Sequence, residues 1–135
     1  KFSITSHEEG WKNGYHFGVE SNHPLRPVVR TNKQMGNLPA EKSFVSTSNP
    51  FAVITTIKKA EDDNDMVIRL HEAEGWDKNI TVNLCQEVES VSKTDMIEDN
   101  PVDIRQSGSS ITIQLGKNAV DTYKMKWYNF LHSGR

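Results

Sequence analysis

The chain of 135 residues has a formal charge of −2, with 35% hydrophobic and 25% charged side chains, enough for one core and too little for two. Such a balance lacks the clustered basic face that nucleic acid requires, so no nucleic-acid partner is expected. No apolar run approaches the roughly 20 residues that cross a bilayer, and no membrane partner is expected either.

The chain opens Lys1-Phe2-Ser3-Ile4-Thr5-Ser6-His7-Glu8-Glu9-Gly10-Trp11, polar from the start and unlike a signal peptide. It begins on Lys1 rather than Met, as expected of a processed chain or one cut from something longer. Phe2–Thr5 is short and β-prone. Ser6 followed by Glu9 has the spacing of a capping box, but Gly10 and Gly14 argue for one turn or a loop. Tyr15–Glu20 alternates weakly and reads as a strand, which Pro24 ends by removing a donor and extending His23. Pro27–Val29 is short and extended, 32–41 is a loop, and Ser43–Thr47 is another short strand.

At the centre, Phe51–Lys58 is β-branched and apolar. Met66–Leu70 alternates, with Met66, Ile68 and Leu70 on one face and Val67, Arg69 and His71 on the other. Glu61–Asp65 between them has nothing to bury, so the stretch reads as a hairpin with an acidic tip. Gly75–Asn79 is a turn, and Ile80–Leu84 alternates cleanly. Cys85 has no internal disulfide partner and reads as a buried small hydrophobe. The single cysteine and the polar start give a cytoplasmic expectation. Glu87–Ser92 and Val102–Arg105 are extended, and 107–109 is a turn. Ile111, Ile113 and Leu115 alternate before Gly116-Lys117-Asn118, which reads as a hairpin turn into Ala119–Trp127. There Tyr123, Met125 and Trp127 share a face directed to the core, and 128–135 is a tail. Short strands at this spacing, punctuated by Gly, Pro, Asn and Asp, predict one all-β domain over 1–135, an antiparallel β-sandwich with at most one short helix.

The chemistry is sparse. No nucleophile elbow, phosphate loop, dinucleotide fingerprint or C-x-x-C is present. The five histidines, His7, His16, His23, His71 and His132, stand at spacings unlike those of a local metal site, so no metal is assigned to this chain. Glu61–Asp65 lacks the central glycine of a twelve-residue calcium loop and reads as a solvated tip. Trp76, in a turn, either faces a glycan or plugs the sandwich end or packs on a neighbouring domain. Trp11 raises the same question. Arg69, a charge within a strand, is expected to pair with Glu72, Glu74 or a carboxylate on the next strand, or else to anchor another domain.

Three stretches carry a resemblance. Lys58-Lys59-Ala60-Glu61-Asp62 followed by Met66–Glu72 resembles the K-x-x-E-D…[LV]-x-x-R-[LFY]-x-[DEN] hairpin of glycoside hydrolase family 38, the α-mannosidases. Ser3–Trp11 is similar to the family's S-L-x-P-H-x-G-x-W, with Ser6 in place of proline. Glu20–Leu25 is similar to its E-x-N-x-P-L. Ala119–Met125, with Thr122 inside it, resembles the closing E-I-x-T strand, Asp121 standing for the acid. The resemblance implies a C-terminal β-sandwich of the galactose-mutarotase and glycosyl-hydrolase kind, from a multidomain retaining exo-glycosidase. In such enzymes the zinc, the aspartate nucleophile and the two carboxyl groups roughly 5 Å apart belong to an N-terminal catalytic domain. The chain alone is then expected to be inactive, with the remaining domains of the parent enzyme as its partners. His7, Trp11, Asn22, Arg69 and Trp76 are the candidates for inter-domain or carbohydrate contact. A free-standing carbohydrate-binding module and a purely structural β-domain are the alternatives. An exposed apolar face is expected where other domains would sit, with a homo-oligomer through that face as the other outcome.

Overall fold

The hairpin expected at the centre of the chain is formed by β2 (Ala52–Lys59) and β3 (Met66–Glu72), antiparallel, with Ile57 opposite Ile68 and Ala52 opposite Glu72. The computed structural model describes residues 2–32 and 35–128; His132 and all of the expected tail except Tyr128 lie outside them. The chain divides into two compact units, Lys1–Asn37 and Leu38–Arg135.

The second unit is the sandwich. Besides the hairpin it contains β1 (Val45–Thr47), β4 (Lys78–Leu84), β5 (Val88–Thr94), β6 (Val102–Asp103), β7 (Gln106–Ser107), β8 (Ser110–Leu115) and β9 (Val120–Trp127). One antiparallel sheet has the order β1-β4-β8-β7 and the other β2-β3-β9-β5-β6. The period-2 pattern explains the layers. Ile80, Val82 and Leu84 alternate toward Ile111, Ile113 and Leu115 on the first sheet. Ile68, Leu70, Val88, Val91, Tyr123 and Met125 meet them from the second, in one buried cluster that Trp127 packs against. Removing this much apolar surface from water is the main force holding the sheets together.

Two strands are irregular. In β2 the pairing slips between Ile54 and Thr56, leaving Thr55 as a bulge. In β5 it slips between Val88 and Ser90, and Gln106 on the other sheet donates its Nε2 to the freed carbonyls of Val88 and Glu89, at 2.7 and 2.9 Å. That side chain ties the two sheets together at the bulge.

Several expectations are corrected. Gly116–Asn118 does not close a hairpin, because β8 and β9 lie in different sheets and the turn crosses between them. The turn after Gly75 ends sooner, since Lys78 and Asn79 already belong to β4. Cys85 follows the end of β4 and is exposed rather than buried; the inward alternation stops at Leu84. Phe2–Thr5 and Pro27–Val29 form no strand, having no neighbour to pair with. Tyr15–Glu20 is not a strand but part of α1 (Trp11–Asn22), 12 residues long, in the first unit. Its N-cap is Gly10 at φ 98, with no side-chain bond, so the Ser6–Glu9 capping box is not made. The spacing Trp11, Tyr15, Val19 is helical, and the interleaved Gly14 and Gly18 conceal it. The His7 ring lies against Gly14: a Cβ there would come within 2.7 Å of its Nε2 and displace the imidazole.

Leu70 is fully buried while Ile57, on the edge strand, is 56% exposed. Leu70→Ala is expected to cost about 3 kcal/mol in urea unfolding of the sandwich, and Ile57→Ala less than about 0.5 kcal/mol. Equal shifts in midpoint would contradict the layer assignment.

Candidate functional site

Glu72 ends β3 on the same side as Ile68 and Leu70, which places its carboxylate in the core face, where it is 1% exposed. An unpaired charge there would be prohibitive. Four backbone amides meet it instead. Its Oε1 accepts from Glu74 N at 2.9 Å, and its Oε2 from Gly75 N, Trp76 N and Asn118 N at 2.7, 3.2 and 3.1 Å. Burial pushes the carboxyl pKa up, but the amides of Asn118, Gly75 and Trp76, aided by Lys78, prevail and hold it below the usual glutamate value. Gly75 supplies the left-handed backbone, φ 86, that aims consecutive amides at one oxygen. Thus one carboxylate fastens both the β3–β4 and the β8–β9 crossings. Asp77 adds a bond from Lys117 N at 2.8 Å, and Lys78 pairs with Glu74. On this fixed turn Trp76 stands 65% exposed. It does not plug the sandwich end.

Arg69 occupies the other side of the same sheet. Neither Glu72 nor Glu74 pairs with it, because Glu72 points to the opposite face and Glu74 holds Lys78. Its Nη2 donates instead to the carbonyl of Met96 at 2.7 Å, in the loop 95–100 between β5 and β6. Asp95 organises that loop: its carboxylate accepts from Ile97 N, Asp99 N and Asn100 Nδ2 at 3.1, 2.8 and 2.9 Å. Glu98 reaches the central hairpin, accepting from Glu61 N at 3.0 Å and pairing with Lys58 at 2.6 Å. Lys58 first, then the Glu61 amide, holds the Glu98 carboxyl below its ordinary value. Val67, Thr94 and Thr122 face the same way as Arg69 and are buried. At Val67 the outward side of the strand is thus as dry as the inward one.

The other candidates lie in the first unit. His7 precedes α1 and its Nδ1 bonds the Glu8 carbonyl at 2.6 Å. Trp11 is 53% exposed and meets Tyr15 edge-on at 5.8 Å. Asn22 donates to the Gly18 carbonyl at 2.8 Å. His7, Trp11 and Asn22 come together, with Tyr15 and Val19, around a shallow depression over Gly14 and Gly18. Arg69 and Trp76 belong to different parts of the sandwich and do not meet. The acidic tip is a solvated turn closed by Ala60 N to the Asp65 carbonyl at 2.8 Å.

Asp95 and Glu98 are absent from the residues singled out in the sequence, and Glu72 enters there only as a partner for Arg69. For Glu72 a signal exists: continuing the 66, 68, 70 alternation puts a carboxylate on the core face, just before a glycine. Nothing local marks Asp95 or Glu98.

Among the described residues no group of three or more His, Cys, Asp or Glu side chains could hold a metal ion. No helix among them is long and apolar enough to cross a membrane. The fold defines an antiparallel β-sandwich domain whose buried carboxylate serves backbone amides. Residues 52–123 match the glycosyl hydrolases family 38 C-terminal beta sandwich domain, and the chain belongs to that family. Residues 52–123 are thus a non-catalytic C-terminal sandwich domain of a glycoside hydrolase family member. No curated protein matches it.

A folded-state pKa below the unfolded one means that Glu72 contributes stability above the usual glutamate value, about 4.3. That contribution is lost as pH falls from there through its lowered folded value. Glu72→Gln turns an amide NH2 toward backbone donors and is expected to cost about 2–3 kcal/mol at neutral pH. The difference from wild type should shrink on acidification in chemical unfolding; a constant difference would refute the ionised cradle.

Proposed function

We propose that this domain belongs to an α-mannosidase, where it packs on the catalytic domain and presents the Trp76 turn to that contact and to carbohydrate. The observation that carries the reading is the family membership of residues 52–123. Trp76 supports it: a large aromatic face, held outward by a turn already ordered, offers a stacking surface at low entropic cost. The nucleophile, the acid and any zinc belong to the catalytic domain in this reading, and this chain supplies shape and rigidity. The exposed thiol of Cys85 suits a reducing, cytoplasmic setting.

The test compares the full polypeptide with this chain alone on aryl α- and β-mannosides. Cleavage of the α-anomer by the full polypeptide only is expected. Hydrolysis by this chain unaided, or no α-mannoside cleavage by the full polypeptide, would overturn the proposal. Trp76→Ala is expected to raise KM on the order of tenfold if the indole touches glycan. Saturable mannoside binding to this chain alone, abolished by Trp76→Ala, would instead favour a self-sufficient carbohydrate-binding module.

A further inference from the structure

Two apolar side chains stand at the head of the loop 95–100: Met96, 60% exposed, and Ile97, 75% exposed, with Val102 just beyond at 65%. A loop free to move would fold such residues inward. This one is fixed at three points. Asp95 binds three donors within the loop, Arg69 takes the Met96 carbonyl, and Glu98 is clasped to the hairpin through Glu61 N and Lys58. Glu98 is held at φ 72, a left-handed backbone that a glutamate adopts only when its surroundings enforce it, and Asn100 follows at φ 55, where asparagine sits readily. The fold therefore accepts strain while Met96 and Ile97 stay in water.

What surrounds them is acidic. Asp99 and Asp103 on the same segment, and Glu61 and Asp62 on the clasped hairpin tip, are exposed. Of the cations on the neighbouring strands, Lys58 is engaged by Glu98 and Glu61 and Lys124 by Asp63, which leaves the exposed Lys59 against four exposed carboxylates. An apolar centre within a charged rim has the anatomy of an interface, and the rim's sign selects the partner.

We propose that this loop is a rigid docking knob, with Met96 and Ile97 entering an apolar pocket ringed by lysine or arginine on another domain of the same enzyme. A second copy of this chain is a poor complement. One of its depressions is lined by Arg105 with only polar neighbours; the two beside α1, one around Trp11 and one around Phe2, Ile4 and Phe17, have apolar walls but no lysine or arginine in their lining. The proposal rests on the reading of the chain as one domain of a larger glycosidase.

Methionine oxidation by dilute peroxide, followed peptide by peptide, tests it. In this chain alone Met96 should oxidise readily and the buried Met125 slowly. In the full enzyme Met96 is expected to slow by at least about tenfold, as access to its sulfur is lost. The double variant Met96→Ser, Ile97→Ser should leave the unfolding of this chain unchanged and shorten the thermal half-life of the full enzyme severalfold. Equal Met96 oxidation in both contexts would overturn the proposal, as would Met96 protection that appears in this chain alone on raising its concentration. An enzyme that cleaves α-mannosides with Met96 unprotected refutes the knob alone. A protected Met96 in an enzyme inactive on α-mannosides refutes only the substrate assignment.

Discussion

Two of the five crossings that carry the chain from one sheet to the other, those after β3 and after β8, converge on the carboxylate of Glu72. Turns of this kind have many amides and few partners. A neutral side chain could satisfy one or two; an ionised carboxylate in a dry position satisfies four, and each bond is strengthened by the charge. The cost of burying that charge is what makes the arrangement specific, since a slip of one residue in β3 would swing Glu72 to the other face and leave both crossings unsupported. The registers of β3 and β9, and through them the whole second sheet, depend on this position.

Most of the sandwich was legible from alternation. The central hairpin, β4, β8 and the inward set Tyr123, Met125 and Trp127 follow directly from period-2 patterns. What alternation does not encode is which strands share a sheet, so the turn at Gly116 looked like a hairpin when it is a crossing. Nor does it encode coverage: Val67 faces away from the core yet is as dry as Ile68, on the side of the sheet where Arg69 holds a loop about thirty residues later in the chain. α1 was hidden for a different reason. Its glycines dilute the helical period, and the helix buries none of its residues, so no apolar face announces it.

The site candidates divide along the same line. Arg69 drew attention as a charge inside a strand, and the structure uses it to hold a distant loop carbonyl. Glu72, expected as a partner for Arg69, proves to be a side chain that holds the backbone of Trp76 instead. Residues chosen for their own chemistry were thus less informative than those that position others. The Arg69 and Glu72 side chains both act on backbone at a distance along the chain, which their own residue type does not announce.

The bulge at Thr55 has a bearing on solubility. β2 is an eight-residue strand at the margin of its sheet, the length and β-branched composition on which a neighbouring polypeptide could grow its own ribbon. One surplus residue interrupts the evenly spaced row of outward amides and carbonyls, and Lys58 and Lys59 add charge at its far end. A molecule crowded among its copies is thereby denied a flat template for fibre growth.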